Sequence, residues 1–175
     1  MKFPESRSLY VLVCMAALAV VACSLYLEFI MAYEPCPLCL SQRLVIAIIG
    51  VSALVAGAHN PSGRGRTCYA ALLTLLSAGG AGLALRQLYL QSLPPDQVPA
   101  CLPSLSYLMD VLRWQDLLGV MLSGTGDCAE DSGSLLGLGL PVWTLGCFLG
   151  FGSLGVIEGV RSQRSRSAPG RNAQP

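Results

Sequence analysis

The chain has 175 residues, of which 53% are apolar and 12% charged, with a formal net charge of +1. An average soluble domain carries about 25% charged residues, so this is not the composition of one, and a mean hydropathy of +0.58 agrees. No basic patch interleaved with aromatic residues is present, which removes nucleic acid from the candidate partners.

Four segments are long and apolar enough to cross a bilayer, whose core needs roughly 20 helical residues. They are about 9–27, 41–58, 68–88 and 141–159. Every backbone N–H and C=O must be satisfied within its own segment in lipid, so each is predicted helical. The expected fold is an all-α membrane protein, a four-transmembrane-helix bundle forming one integral membrane domain over 1–175. The first segment has the basic start of a signal peptide (Lys2, Arg7) and a lipoprotein-like Val20-Val21-Ala22-Cys23. Apolar residues continue past it at Leu25, Tyr26, Leu27, Phe29, Ile30 and Met31, where a lipoprotein would turn polar, so it is read as a retained helix.

The first connecting loop, 28–40, ends in Cys36-Pro37-Leu38-Cys39. By itself a C-x-x-C spacing serves zinc as well as redox chemistry. As a disulfide it closes a very small ring, which constrains little chain entropy and makes a poor staple. Zinc would want a second closely spaced pair, whereas Cys101 and Cys128 are separated by 26 residues and the outer loops hold no His. Redox chemistry is the favoured reading. A thioredoxin-like fold is excluded, since no alternation of strands and helices surrounds the motif. Arg43 follows Cys39 by four residues, on the same helical face. A cation there would favour the reactive thiolate; the bland alternative is an arginine snorkelling to the interface.

Between the second and third helices lies an ordinary turn, with His59 solvated in it. Gly79, Gly80 and Gly82 in the third helix, and Gly146, Gly150, Gly155 and Gly159 in the fourth, predict close helix packing. Arg86, near the outer end of the third helix, either snorkels or faces the same site as Arg43. The long loop 89–140 is Pro-rich around Cys101, at Pro94, Pro95, Pro99 and Pro103, which keeps that cysteine extended and exposed. From 104 to 122 a polar stripe of Ser106, Asp110, Arg113 and Asp116 recurs at spacings of three and four, predicting one amphipathic helix on the membrane surface. The tail 161–175, rich in Ser, Arg, Pro and Gly, is expected to be disordered.

Positive charge orients the bundle. Lys2 and Arg7, Arg64 and Arg66, and Arg161, Arg164, Arg166 and Arg171 fall on one side of a four-span topology. The long loop on the other side holds only Arg113 against Asp96, Asp110, Asp116, Asp127, Glu130 and Asp131. Both termini are expected in the cytoplasm and both cysteine-bearing loops in the periplasm or outside the cell. Topology also sorts the eight cysteines. Cys14, Cys23, Cys68 and Cys147 fall within apolar runs, where cysteine behaves as a small hydrophobe. Cys36, Cys39, Cys101 and Cys128 all lie in the outer loops, the compartment where disulfides persist.

Taken together, Cys36-Pro37-Leu38-Cys39 with Arg43, the lone Cys101 after a Pro-rich stretch, and Gly126-Asp127-Cys128-Ala129-Glu130 ahead of Pro141-Val142-Trp143 resemble the DsbB family of disulfide bond formation proteins. The resemblance covers nearly the whole chain. It implies an inner-membrane, quinone-dependent thiol-disulfide oxidoreductase that reoxidises a soluble periplasmic DsbA-like oxidase, the route that keeps a bacterial periplasm oxidising. It further implies redox-active pairs Cys36–Cys39 and Cys101–Cys128, with Cys101 engaging the partner, Cys128 exchanging with Cys36, and Cys39 meeting the quinone beside Arg43. The implied cofactor is ubiquinone or menaquinone from the membrane pool, with no metal. One departure is Gln87 after Arg86, where family members often carry His; the sulfur steps are expected not to involve this position. The vitamin K epoxide reductase type shares four helices and C-x-x-C, but the contexts of Cys128 and Arg43 fit DsbB better. A disulfide-stapled scaffold without activity is the remaining alternative, and it would resist reduction by a thiol partner.

Overall fold

The computed structural model describes residues 6–31, 35–94, 96–101, 105–129, 134–135 and 137–167. Lys2, Pro95, Pro103, Glu130, Asp131 and the tail from 168 onward, with Arg171, lie outside the described residues. Four long apolar helices form a bundle: α1 (Ser6–Phe29), α2 (Pro37–His59), α3 (Arg64–Gln91) and, after two short helices, α6 (Leu140–Ser167). At 1.5 Å per residue they are about 34–42 Å long, enough to cross a ~30 Å hydrocarbon core with turns to spare. The chain is a four-helix membrane protein.

Each helix outlasts the apolar run that announced it, because local chemistry rather than hydropathy sets its ends. Pro37 opens α2 at its first position, where its missing N–H costs nothing. Asn60 closes it in the left-handed conformation, its N–H bonded to the Ala56 carbonyl. The expected disorder does not hold for residues 161–167, since α6 continues through them to Ser167. There buried Glu158 pairs with Arg66 of α3, lies 3.5 Å from Arg161, and is flanked by a Thr67–Ser162 hydroxyl bond of 3.0 Å. That polar knot gives the last turns of α6 something to hold. His59, at the end of α2, is exposed with Nδ1 3.3 Å from the Tyr69 hydroxyl.

The core lies along the bundle axis, where Tyr10, Val13, Ile46, Ile49, Leu73, Phe148 and Phe151 are buried together. Large apolar side chains also face outward: Leu12, Leu18, Leu75 and Leu149 are each at least 60% exposed. An apolar outer surface is what a lipid-facing bundle presents. α6 lies mainly along α3, and α1 along α2. The glycine pattern narrows to two positions of close approach. A methyl on Gly80 would meet the Phe148 ring at 2.1 Å, and one on Gly155 would meet Thr74 Oγ1 at 2.6 Å, while Gly79, Gly82, Gly146 and Gly150 face nothing within 4 Å.

The single amphipathic helix expected over 104–122 is instead two, α4 (Leu105–Val111) and α5 (Trp114–Ser123). Arg113 between them is extended, with ψ 145°. The break releases α5 to dock on α2, where the Ser41 hydroxyl donates to the Met121 carbonyl at 2.9 Å. Trp114, Leu118 and Leu122, spaced four apart on one face of α5, remain exposed, so an apolar face is still presented outward. A 3-10 turn (Gly126–Cys128) and a two-residue antiparallel pairing of β1 (Ser134–Leu135) with β2 (Leu138–Gly139) lead into α6.

Candidate active site: three thiols beside an apolar cavity

The site begins with the first turn of α2. Cys36 is its N-cap, with φ −70° and ψ 161°, and its sulfur accepts the Cys39 backbone N–H at 3.4 Å. The C-x-x-C spacing therefore supplies a sulfur N-cap: Cys36 at the cap and Cys39 three residues into the helix, with Pro37 at the first position between them. The two sulfurs stand 2.9 Å apart. The positive end of the helix dipole lies here, and it favours anionic sulfur.

The long loop brings the third thiol. Gly126 crosses the segment before Cys101 so closely that a methyl on it would meet the Pro99 carbonyl at 2.4 Å and the Cys101 sulfur at 2.9 Å. Gly124, at φ +78°, lies under Leu38 and Leu90, where a methyl would come within 2.6–2.8 Å. These two glycines let the 3-10 turn settle into the bundle. Cys128 then joins Cys36, Leu38 and Leu90 in a small apolar cluster, fully buried. The Cys36 thiol shares hydrogen bonds with both Cys128 and Cys39. Those bonds, with burial, push Cys36 well above the ordinary thiol range. The bond from Cys36 draws Cys128 below it, against burial and with help from the Leu38 and Thr125 backbone. The shared proton therefore rests on Cys36.

Cys39 also lines a partly open cavity between α1, α2, α3 and the start of α6. Its wall is largely apolar, with Val20, Val21 and Leu27 from α1 and Pro141 from α6. The polar groups on it are few: Arg43, Glu28, Gln42 and Gln87, with hydroxyls of Ser24 and Thr144. Arg43 is ion-paired with Glu28 and reaches the Ser24 carbonyl at 3.5 Å, leaving its Nε buried with no protein partner.

Of the residues singled out from sequence, Cys36, Cys39 and Cys128 converge, and Arg43 lines the cavity that Cys39 faces. Cys101 is exposed, with its sulfur against Gly126, two residues from Cys128. Cys36, Cys39 and Cys128 are each unbridged. Arg86 does not line the cavity: it is exposed, donates to the Ser123 carbonyl at 3.1 Å and lies 5.5 Å over the Tyr89 ring. Its neighbour Gln87 is the one that turns inward, and contrary to expectation it touches the sulfurs. Its carboxamide N–H groups point at Cys39 Sγ (3.2 Å) and Cys36 Sγ (3.6 Å), while its oxygen accepts from Gln42 at 2.8 Å. Glu28 and Gln42 were missed in the sequence, and Gln87 was singled out there without a role at the sulfurs. The signal was there, because polar groups embedded in apolar spans are costly and mark sites. Among the described residues, no group of three or more His, Cys, Asp or Glu side chains is arranged to hold a metal.

The family model described as "Disulfide bond formation protein DsbB" matches residues 6–157. Curated relatives named disulfide bond formation protein B agree along almost their full length. The one from Hahella chejuensis is 43% identical over 159 residues, covering 91% of this chain and 96% of the relative. That from Stutzerimonas stutzeri is 43% identical over 150 residues, covering 86% and 92%. That from Methylococcus capsulatus is 40% identical over 164 residues, covering 94% and 100%. With a four-span bundle that gathers thiols at one end, the match leaves one assignment: the chain belongs to the DsbB family of disulfide bond formation proteins, membrane thiol oxidoreductases.

Proposed function

We propose that this protein reoxidises a periplasmic DsbA-like dithiol oxidase and passes the electrons to membrane quinone, with both termini in the cytoplasm and the cysteine end in the periplasm. The observation that carries this reading is the seating of Cys128, from the long loop, against Cys36 at the head of α2, with Cys39 on the cavity side of the same pair.

In the working cycle Cys101–Cys128 is the disulfide offered to the partner. The partner's thiolate attacks exposed Cys101, forming a mixed disulfide and releasing Cys128 as a thiolate. The partner's second thiolate then displaces Cys101, leaving the partner oxidised. Cys128 attacks Cys36, so a Cys36–Cys128 bond forms as Cys36–Cys39 breaks and the electron pair remains on Cys39. Attack by Cys101 on Cys128 restores the loop disulfide and leaves Cys36 and Cys39 reduced. Reoxidising that pair removes two electrons and two protons; a quinone held beside Cys39 and Arg43 would supply the two-electron acceptor. The cavity fits such a group: its wall is apolar, Cys39 lies on it, and the unpartnered Arg43 Nε supplies a donor for a carbonyl oxygen. Ubiquinone and menaquinone share the ring carbonyls this fit requires. Burial of the Arg43 Nε away from water would strengthen such a contact.

The test is quinone absorbance during mixing of the purified protein with a reduced soluble thiol oxidase. Cys39→Ser is expected to abolish quinone reduction while leaving one stoichiometric reaction with partner. Continued turnover by Cys39→Ser protein would remove Cys39 from its role.

A further inference from the structure

The arginine that sequence spacing nominated for Cys39 is engaged elsewhere, by Glu28, and a neutral side chain occupies the contact instead. We propose that Gln87 is a catalytic hydrogen-bond donor of the sulfur relay, held in register by Gln42, and that its carboxamide receives the negative charge deposited on Cys39 when Cys128 attacks Cys36.

Two buried carboxamides in an apolar bundle are costly unless every polar atom is answered. Gln42 and Gln87 are 3% and 0% exposed. The Gln42 amide fixes the Gln87 oxygen at 2.8 Å, which turns the Gln87 NH2 toward the cysteines, one sulfur for each hydrogen, at 3.2 and 3.6 Å. A packing role would be met as well by leucine. A ladder that ends on two reacting sulfurs is a different matter.

The proposal rests on the exchange step described above. In that step one S–S bond forms and one breaks, no proton is exchanged, and the charge moves from Cys128 Sγ to Cys39 Sγ. Exchange is faster when the leaving sulfur is the more stable thiolate. Hydrogen bonds to an ionised acceptor are roughly twice as strong as neutral ones, so the Gln87 N–H gains most as charge arrives. The titratable or charged groups around Cys39 are Cys36 at its cap, Arg43 on its own helix, Glu28 of α1 and Cys128 of the 3-10 turn; α3 presents only the neutral Gln87, and α6 presents Leu140, Pro141 and Thr144. A carboxamide does not titrate, so its donation holds across the whole working pH range.

The experiment follows iodoacetamide modification at Cys39, resolved from Cys36 by fragment mass spectrometry, in reduced, quinone-stripped full-length protein from pH 5 to 9. It needs neither quinone nor partner, so failure of wild-type quinone reduction would defeat the relay while this readout judges Gln87 separately. Gln87→Leu is expected to slow modification at neutral pH about tenfold and move the midpoint upward. Gln87→His, which keeps a donor, should recover most of the rate and add a second inflection near the imidazole range. Gln42→Leu, which unseats the donor without removing it, should give an intermediate loss. A Gln87→Leu profile that overlays wild type overturns the proposal. Equal slowing by Leu and His also overturns it, leaving only a packing role. If Gln87→Leu protein does not fold, an unchanged Cys39 rate in Gln42→Leu decides against it.

Discussion

At the residue scale, one proton and one ion pair divide the labour of the site. Cys36 sits well above the ordinary thiol range and Cys128 below it, because each hydrogen-bonds the other inside a dry cluster. With all three thiols reduced, the hydrogen bond between the two therefore favours the proton on Cys36 and the charge on Cys128. Arg43 faces the cavity with an unanswered Nε, its charge balanced by Glu28. A hydrogen bond to a charged group contributes about 1.5–3 kcal/mol, so Arg43→Ala is expected to raise the apparent KM for quinone about tenfold or more with a small change in kcat. Steady-state quinone reduction at saturating partner checks this; unchanged KM and kcat would return Arg43 to an interfacial snorkelling role. The sulfurs and Arg43 were legible in the sequence because C-x-x-C and an i, i+4 cation are short-range patterns. Glu28 and Gln87 were not, since each reaches the site from a different helix and only packing puts them on one wall.

At the scale of elements, hydropathy located the helices and capping decided their length. An apolar run shows where lipid is crossed, but Pro37, Asn60 and the Glu158–Arg66 pair determine where α2 and α6 begin or end. The same distinction explains the surface helix. The polar stripe from Ser106 to Asp116 keeps its period straight through Arg113, so periodicity carries no trace of the break. What splits it is tertiary: Ser41 holds α5 by the Met121 carbonyl, and Gly124 tucks beneath Leu38 and Leu90. Small residues were expected to mediate helix contact generally; of the glycines singled out in the third and fourth helices, Gly80 and Gly155 are the two packed too closely to admit a methyl, while Gly159 is in ordinary contact. Overpacking costs typically about 1–3 kcal/mol. Gly155→Ala should therefore lose stability in that range, whereas Gly150→Ala, with open space around it, should change it by less than about 0.5 kcal/mol. Thermal unfolding in detergent separates the two; equal effects would mean that α3 and α6 do not meet as described.

At the scale of the molecule, the bundle has two chemically different ends. One is closed by Glu158, Arg66, Arg161, Thr67 and Ser162, a buried polar knot that ties α3 to α6. The other leaves its sulfurs, its cavity and the exposed apolar face of α5 together. In the cycle proposed above, that separation would let a protein partner approach from water and a lipid-soluble acceptor from the bilayer, with α2 carrying the atoms that connect them. The arrangement depends on a cysteine from 89–140 reaching one at 36, across 91 intervening residues. A chain in which Cys39 and Cys101 are both replaced by Ser leaves Cys36 and Cys128 without their other proposed mates. Mild oxidation followed by mass spectrometry of the unreduced peptides measures whether they join. The predicted result is a rapid Cys36–Cys128 bridge within a single chain, lost in a further Cys36→Ser variant. Two thiols that both stay open to alkylation, or that bridge only between chains, would contradict the account.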